Sequence, residues 1–250
     1  MIYLTLLIDS LCNFASMLKE KCDDKCHECD SRRSSIFCTL NEKNLDNLSS
    51  SKGRNSYKKG QSIFLEGTLP TGLYCIKSGK VKISKIGLDG KEQTVRFLKK
   101  GDVVGYRSLL SSERYQASAI ALEDSEVCFF QKNIINPILK DDNLVRNEII
   151  KLMSNDIKLA ERKIVDLAQR SVKQRICSSL LNLIDIYGFK KDQITIDVQI
   201  SKKQLSEIVG TAPETISRLL SELSQERVIL SKKNYIEIIN INQLRRSSEF

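Results

Sequence analysis
The chain has 250 residues, 41% of them hydrophobic and 28% charged, the balance of a globular protein with room for two domains. Its net charge of +9 favours an anionic partner, nucleic acid ahead of membrane. One histidine and no tryptophan largely exclude a histidine-based catalytic centre or a His-rich metal site, and no apolar run approaches the roughly 20 residues that span a bilayer.

Residues 1–40 form a cysteine-rich segment. Its apolar start, MIYLTLLIDSLC, has no basic flank and contains Asp9, so it does not read as a signal peptide. Without an export signal, the eight cysteines are expected in the cytoplasm, reduced or bound to metal. Cys22, Cys26, Cys29 and Cys38 fall in CDDKCHECDSRRSSIFC. Thiolates at CxxxC and CxxC spacing suit a soft metal or an iron–sulfur cluster. His27 offers zinc a further ligand, and reduced surface thiols are the third reading.

Residues 41–52 predict a short amphipathic helix on Leu45 and Leu48. From Tyr57 the period changes, and β runs are expected at 62–65, 73–76, 81–84, 94–98, 117–122 and 126–130. Asp89-Gly90 is a hairpin signal, and short strands at this spacing predict an antiparallel sandwich or barrel. Residues 141–169 predict one long helix. Along it Ile150, Met153, Ile157, Ala160, Ile164 and Leu167 alternate at threes and fours, an a/d seam for a parallel coiled coil with a second copy. The alternative is packing on the chain's own β domain. A helix over 175–187 follows, ended by Gly188.

Residues 201–234 predict a helix-turn-helix. Ser201 caps the stripe of Leu205, Ile208 and Val209, and Gly210 breaks the helix. Thr211 is the expected cap of a second helix, with Pro213 in its first turn and Glu214 at capping-box spacing. Ile216, Leu219, Leu220 and Leu223 face inward. Glu214, Thr215, Ser217 and Arg218 lie off that stripe and are residue types that read base edges. Residues 228–230 and 235–239 predict a two-stranded wing, with Lys232 and Lys233 at its tip for phosphates. The tail RRSSEF reads as disordered. No Gly-rich phosphate loop or nucleophile elbow supports an enzyme.

GTAPETISRLLSEL resembles the recognition helix of the CRP/FNR family of bacterial transcription regulators. KKGQSIFLEG, LYCIKSGKVKIS and LKKGDVVGYRSLL are similar to that family's β-roll, the cyclic-nucleotide-binding fold. The resemblance spans residues 22–240 and implies an α+β chain: the cysteine segment at 1–40, a β-roll (cyclic-nucleotide-binding-like jelly roll) at 41–140, a dimerisation helix at 141–170 and a winged helix-turn-helix at 171–250. It further implies a homodimer on palindromic double-stranded DNA of the TTGAT…ATCAA kind, read by Glu214, Ser217 and Arg218, with RNA polymerase as a partner.

In the oxygen-sensing members, three N-terminal cysteines and one from the roll hold a [4Fe–4S] cluster. Cys26, Cys29, Cys38 and Cys128 match that set, with Cys22 as an alternate, while Cys12, Cys75 and Cys177 read as core or spare thiols. Two features depart from the sensors. Eight residues separate Cys29 from Cys38, a longer gap than theirs, and Ala160 stands where they carry an Asp. Like charges across a two-fold axis oppose pairing, and Ala removes them. The expected switch therefore acts on the orientation of the DNA domains, or the chain is a cluster-free redox relative. Nucleotide-binding members place a Glu after the cassette Gly and an Arg-Ser pair on the cyclic phosphate. Here Tyr106 follows Gly105, Tyr115-Gln116 occupy the pair, and Arg107 and Arg114 are out of register, so cyclic nucleotide is disfavoured.

Overall fold
A computed structural model describes residues 25–249. The expectations for Cys12 and Cys22 lie outside the described residues.

Alternating apolar side chains build the β domain. Its strands are β1 (Gly53–Tyr57), β2 (Ser62–Phe64), β3 (Gly72–Ser78), β4 (Val81–Ile86), β5 (Glu92–Leu98), β6 (Val103–Val104), β7 (Ser118–Ala121) and β8 (Ser125–Gln131). They form two four-stranded antiparallel sheets, ordered β1-β8-β3-β6 and β2-β7-β4-β5, the β-roll that the sequence predicts. Strands β3 and β8 lie side by side inside the first sheet. Tyr74, Ile76 and Val127 pack between the sheets with Ile63, Val81 and Leu98. The alternate residues Leu73, Cys75, Cys128 and Phe130 pack on the outer face, in a second core with Cys26, Phe37, Leu45 and Leu48.

The N-terminal segment that covers this face has a 3-10 turn at Cys26–Glu28, α1 (Asp30–Arg33), a second 3-10 turn at Ile36–Thr39 and α2 (Glu42–Ser51). Leu45 and Leu48 are buried, as the amphipathic pattern requires. A short helix α3 (Tyr106–Ser111) follows β6, and α4 (Lys132–Asp141) follows β8.

The long helix α5 (Asn143–Gln169) is distinct from α4. Asp142 breaks the two apart: its backbone is extended, and its Oδ1 accepts from the Leu144 and Val145 N–H groups at 3.1 and 3.3 Å. Val145 and Ile149 are buried against the roll. The predicted seam lies on the other side. Ile150, Met153, Ile157, Ile164 and Leu167 are exposed large hydrophobics, and Ala160 is exposed with them.

The last domain begins at α6 (Val172–Tyr187), three residues earlier than the pattern predicts, because Ser171 and Gln174 form a capping box. Then come α7 (Lys202–Val209), α8 (Pro213–Gln225), β9 (Ile229–Ser231), β10 (Ile236–Ile238) and α9 (Ile241–Arg246). Helix α9 corrects the expectation of a disordered tail. Arg245 and Arg246 close it, Leu244 is fully buried, and the Asn240 side chain caps its start. The core of this domain also takes in Phe97 and Leu122 from the roll. No described helix is long and apolar enough to cross a membrane.

Candidate nucleic-acid interface and thiol site
Helices α7 and α8 make the helix-turn-helix. Ser201 and Gln204 form a capping box at the start of α7, and Gly210 ends it in the left-handed region, with φ 72°. Arg175 of α6 fixes the turn, its Nε donating to the Val209 carbonyl at 3.1 Å. The second helix starts one residue later than expected. Ala212, not Thr211, is its N-cap, and no side chain caps it. Pro213 explains the shift: its fixed φ suits the first helical position, and it holds the preceding residue extended. Glu214 is therefore the second helical residue and closes no capping box. The open N-terminus leaves backbone N–H groups suited to phosphate.

Ile216, Leu219, Leu220 and Leu223 bury one face of α8. Glu214 and Arg218 are exposed on the other, with Thr215 and Ser217 half-buried beside them. Arg218 lies 3.7 Å from Glu222, whose other oxygen accepts from Lys173 at 2.7 Å. The base-reading candidates thus share one solvent-facing surface. In the wing, β9 and β10 pair with Ile236 opposite Ser231. Lys232 is ion-paired with the largely buried Glu237, whereas Lys233 is exposed at the tip.

The cysteines separate into two groups. Cys26, Cys29, Cys75 and Cys128 line one cavity of about 20 Å³, together with Phe37, Phe130 and the cationic side chains of Arg32, Lys52 and Lys77. Cys26, Cys75 and Cys128 are each 6% exposed. Burial chiefly, then the thiols of Cys128 and Cys29, Asp102 and the thiol of Cys26, push the Cys75 thiol well up. Cys38 is exposed and does not line this cavity. Among the described residues no three His, Cys, Asp or Glu side chains yet stand at metal-binding separation. The cavity holds about one water. The donor chemistry of the four thiols fits an iron–sulfur cluster. His27 bonds Asp46 of α2 at 2.8 Å and is not on the cavity wall.

Sequence comparisons show the family of the chain, and structure comparisons show a shared fold. The cyclic nucleotide-binding domain model matches residues 54–142, and the Crp-like helix-turn-helix domain model matches residues 174–247. The chain is 31% identical over 227 residues to the fumarate and nitrate reduction regulatory protein of Vibrio cholerae, covering 89% of this chain and 90% of that one. It is 32% identical over 200 residues to the anaerobic regulatory protein of Bacillus subtilis, covering 76% and 84%. The chain belongs to the CRP/FNR family of transcription regulators. The fold is shared with a CRP/FNR regulator from Eubacterium rectale (TM-score 0.70, 22% identity, 85% of this chain and 97% of that one). It is shared also with FixK2 from Bradyrhizobium japonicum (TM-score 0.71, 22% identity, 80% and 98%). Its function is DNA-binding transcription regulation rather than catalysis.

In this CRP/FNR regulator the positions of the cyclic-phosphate grip serve other contacts. Tyr106 is buried and donates to Asp156 of α5 at 2.6 Å, while Arg96 donates to the Tyr106 oxygen at 3.0 Å and pairs with Asp156. Burial chiefly, opposed by Arg96 and aided by Asp156, pushes the Tyr106 phenol up to about 12. Tyr115 is stacked on Phe64 with ring centroids 4.1 Å apart. Sequence reasoning missed the Arg96–Tyr106–Asp156 group, which ties the roll to α5. It also missed Lys82, whose buried ammonium meets Glu207 of α7 at 2.9 Å. Both depend on contacts between distant segments, and no local pattern marks them.

Proposed function
We propose that this regulator acts in the cytoplasm as a homodimer on a palindromic double-stranded site and responds to oxygen or redox state. In this reading the signal enters through a [4Fe–4S] cluster on the N-terminal cysteines and Cys128. The carrying observation is that Cys26 and Cys29, far from Cys128 in sequence, line one buried cavity with it. Thiolates near cationic side chains suit such a cluster, and when bound it supplies an oxygen-labile tie between the N-terminal segment and the roll. The names of the relatives, an anaerobic regulatory protein among them, support the same signal. The exposed seam on α5 supports pairing, which would set two α8 helices about one DNA turn apart. RNA polymerase is the partner this reading expects.

Protein purified without oxygen is the test. Brown protein with stoichiometric iron and sulfide is expected. Colourless, iron-free protein would sink the cluster. Zinc in place of iron would favour the zinc alternative, although His27 is committed to Asp46.

A further inference from the structure
The expected fourth ligand, Cys38, is the cysteine that the fold sets apart. It sits exposed at the 3-10 turn Ile36–Thr39, with its carbonyl accepting from Arg32 at 3.4 Å. Cys75 has the opposite setting. Strand register places it directly across from Cys128, Cα partner to Cα partner on β3 and β8. Side chains at such a pair share a face and stand about 5 Å apart at Cβ. Here that face is the outer one, beneath the segment carrying Cys26 and Cys29. Bonds that tie that segment down include the Cys26 N–H donating to Ser49 Oγ at 3.1 Å and Ser31 Oγ donating to the Lys77 carbonyl of β3 at 2.7 Å.

We infer that the sulfur ligands are Cys26, Cys29, Cys75 and Cys128, and that Cys38 stands outside the site. This rests on the cluster reading above for the identity of the occupant. Two ligands come from the rigid sheet and two from the covering turn, so the occupant staples one to the other. Each thiol releases its proton as its sulfur bonds iron, and two ferrous ions, two ferric ions and four sulfides from solution balance a [4Fe–4S]2+ core with no further oxidant. The wall also supplies positive charge from Arg32, Lys52 and Lys77 for the thiolates formed.

Full-length protein is reconstituted anaerobically with equal ferrous and ferric iron and with sulfide, and iron, sulfide and visible absorbance are read. Cys75→Ser is expected to lose the cluster as completely as Cys128→Ser does, while Cys38→Ser keeps the wild-type content. The reverse pattern overturns the assignment. Because Cys75 is a core residue, a wild-type measurement accompanies the variants. Iodoacetamide applied to loaded protein should modify Cys38 with iron retained, and iron lost in step with Cys38 alkylation refutes the inference. Cadmium titration separates the ligand set from the cluster, since thiolate-to-cadmium absorbance needs no iron chemistry. Absorbance lowered by Cys75→Ser and kept by Cys38→Ser supports the set, and absorbance unchanged by Cys75→Ser refutes it. Wild type that takes cadmium but no iron and sulfide refutes the cluster and leaves the four thiols standing. Protein that takes neither refutes both.

Discussion
Arg218 and Lys233 are both exposed cations, and their places in the fold lead to different predictions. Arg218 projects from the first half of α8 beside Glu214 and Ser217, where a guanidinium reaches guanine edges. Arg218→Ala is expected to cost about 1–3 kcal/mol on the palindrome and to relax sequence choice, as read by anisotropy on matched and mismatched DNA. Equal loss on random DNA would argue against base reading. Lys233, at the wing tip, suits phosphate. Lys233→Ala should weaken both DNAs alike and lower the salt slope by about 1. Lys232 is the less informative target, although the two are neighbours in sequence. Its ammonium already pairs with Glu237, so Lys232→Ala should lower the melting temperature as well, by leaving a largely buried carboxylate unpaired.

At the scale of elements, α5 presents two faces with separate duties. Val145 and Ile149 are buried, and the apolar row from Ile150 to Leu167 is exposed, the surface that the proposed dimer would pair. Ala160 lies in that seam. Ala160→Asp would set like charges against each other across the two-fold axis, so sedimentation should show a shift toward monomer at micromolar protein. Unchanged dimer would place the pairing surface elsewhere. The exposed apolar row on α5 was legible in the sequence because heptad spacing is local, and most strands were legible because alternation is local. Strand β1, GRNSY, escaped because its residues are polar and no side chain of it is fully buried. Strand β6 escaped because it is two residues long. The N-cap of α8 moved because Pro213 outweighs the better capping side chain of Thr211. Cys75 read as a core thiol, which it is by burial. Its place opposite Cys128 depends on the pairing of β3 with β8, which neither strand's sequence reveals.

At the scale of the whole molecule, charged groups lock the DNA-binding domain to the roll. Lys82 on β4 and Glu207 on α7 are both buried, with side chains 6% and 8% exposed. Removing one partner of such a pair costs up to about 3–5 kcal/mol, because the other charge stays in place. Glu92, 2.8 Å from Lys82, softens that loss. Glu207→Gln should therefore lower the melting temperature, and Lys82→Met combined with Glu207→Leu should recover much of it. A single variant as stable as wild type would show the contact to be incidental.

Gly210 gathers these relations into one joint. A Cβ there would come within 3.4 Å of Leu167 Cδ2, at the end of the seam, and 3.6 Å of Gln93 Oε1, on the roll. The bend between the two helices of the helix-turn-helix thus has α5 on one side and the roll on the other, with room for about one methyl group. If α5 pairs with a second copy as proposed, a shift of that helix would press on this bend, and through it on α8, once that methyl-sized gap had closed.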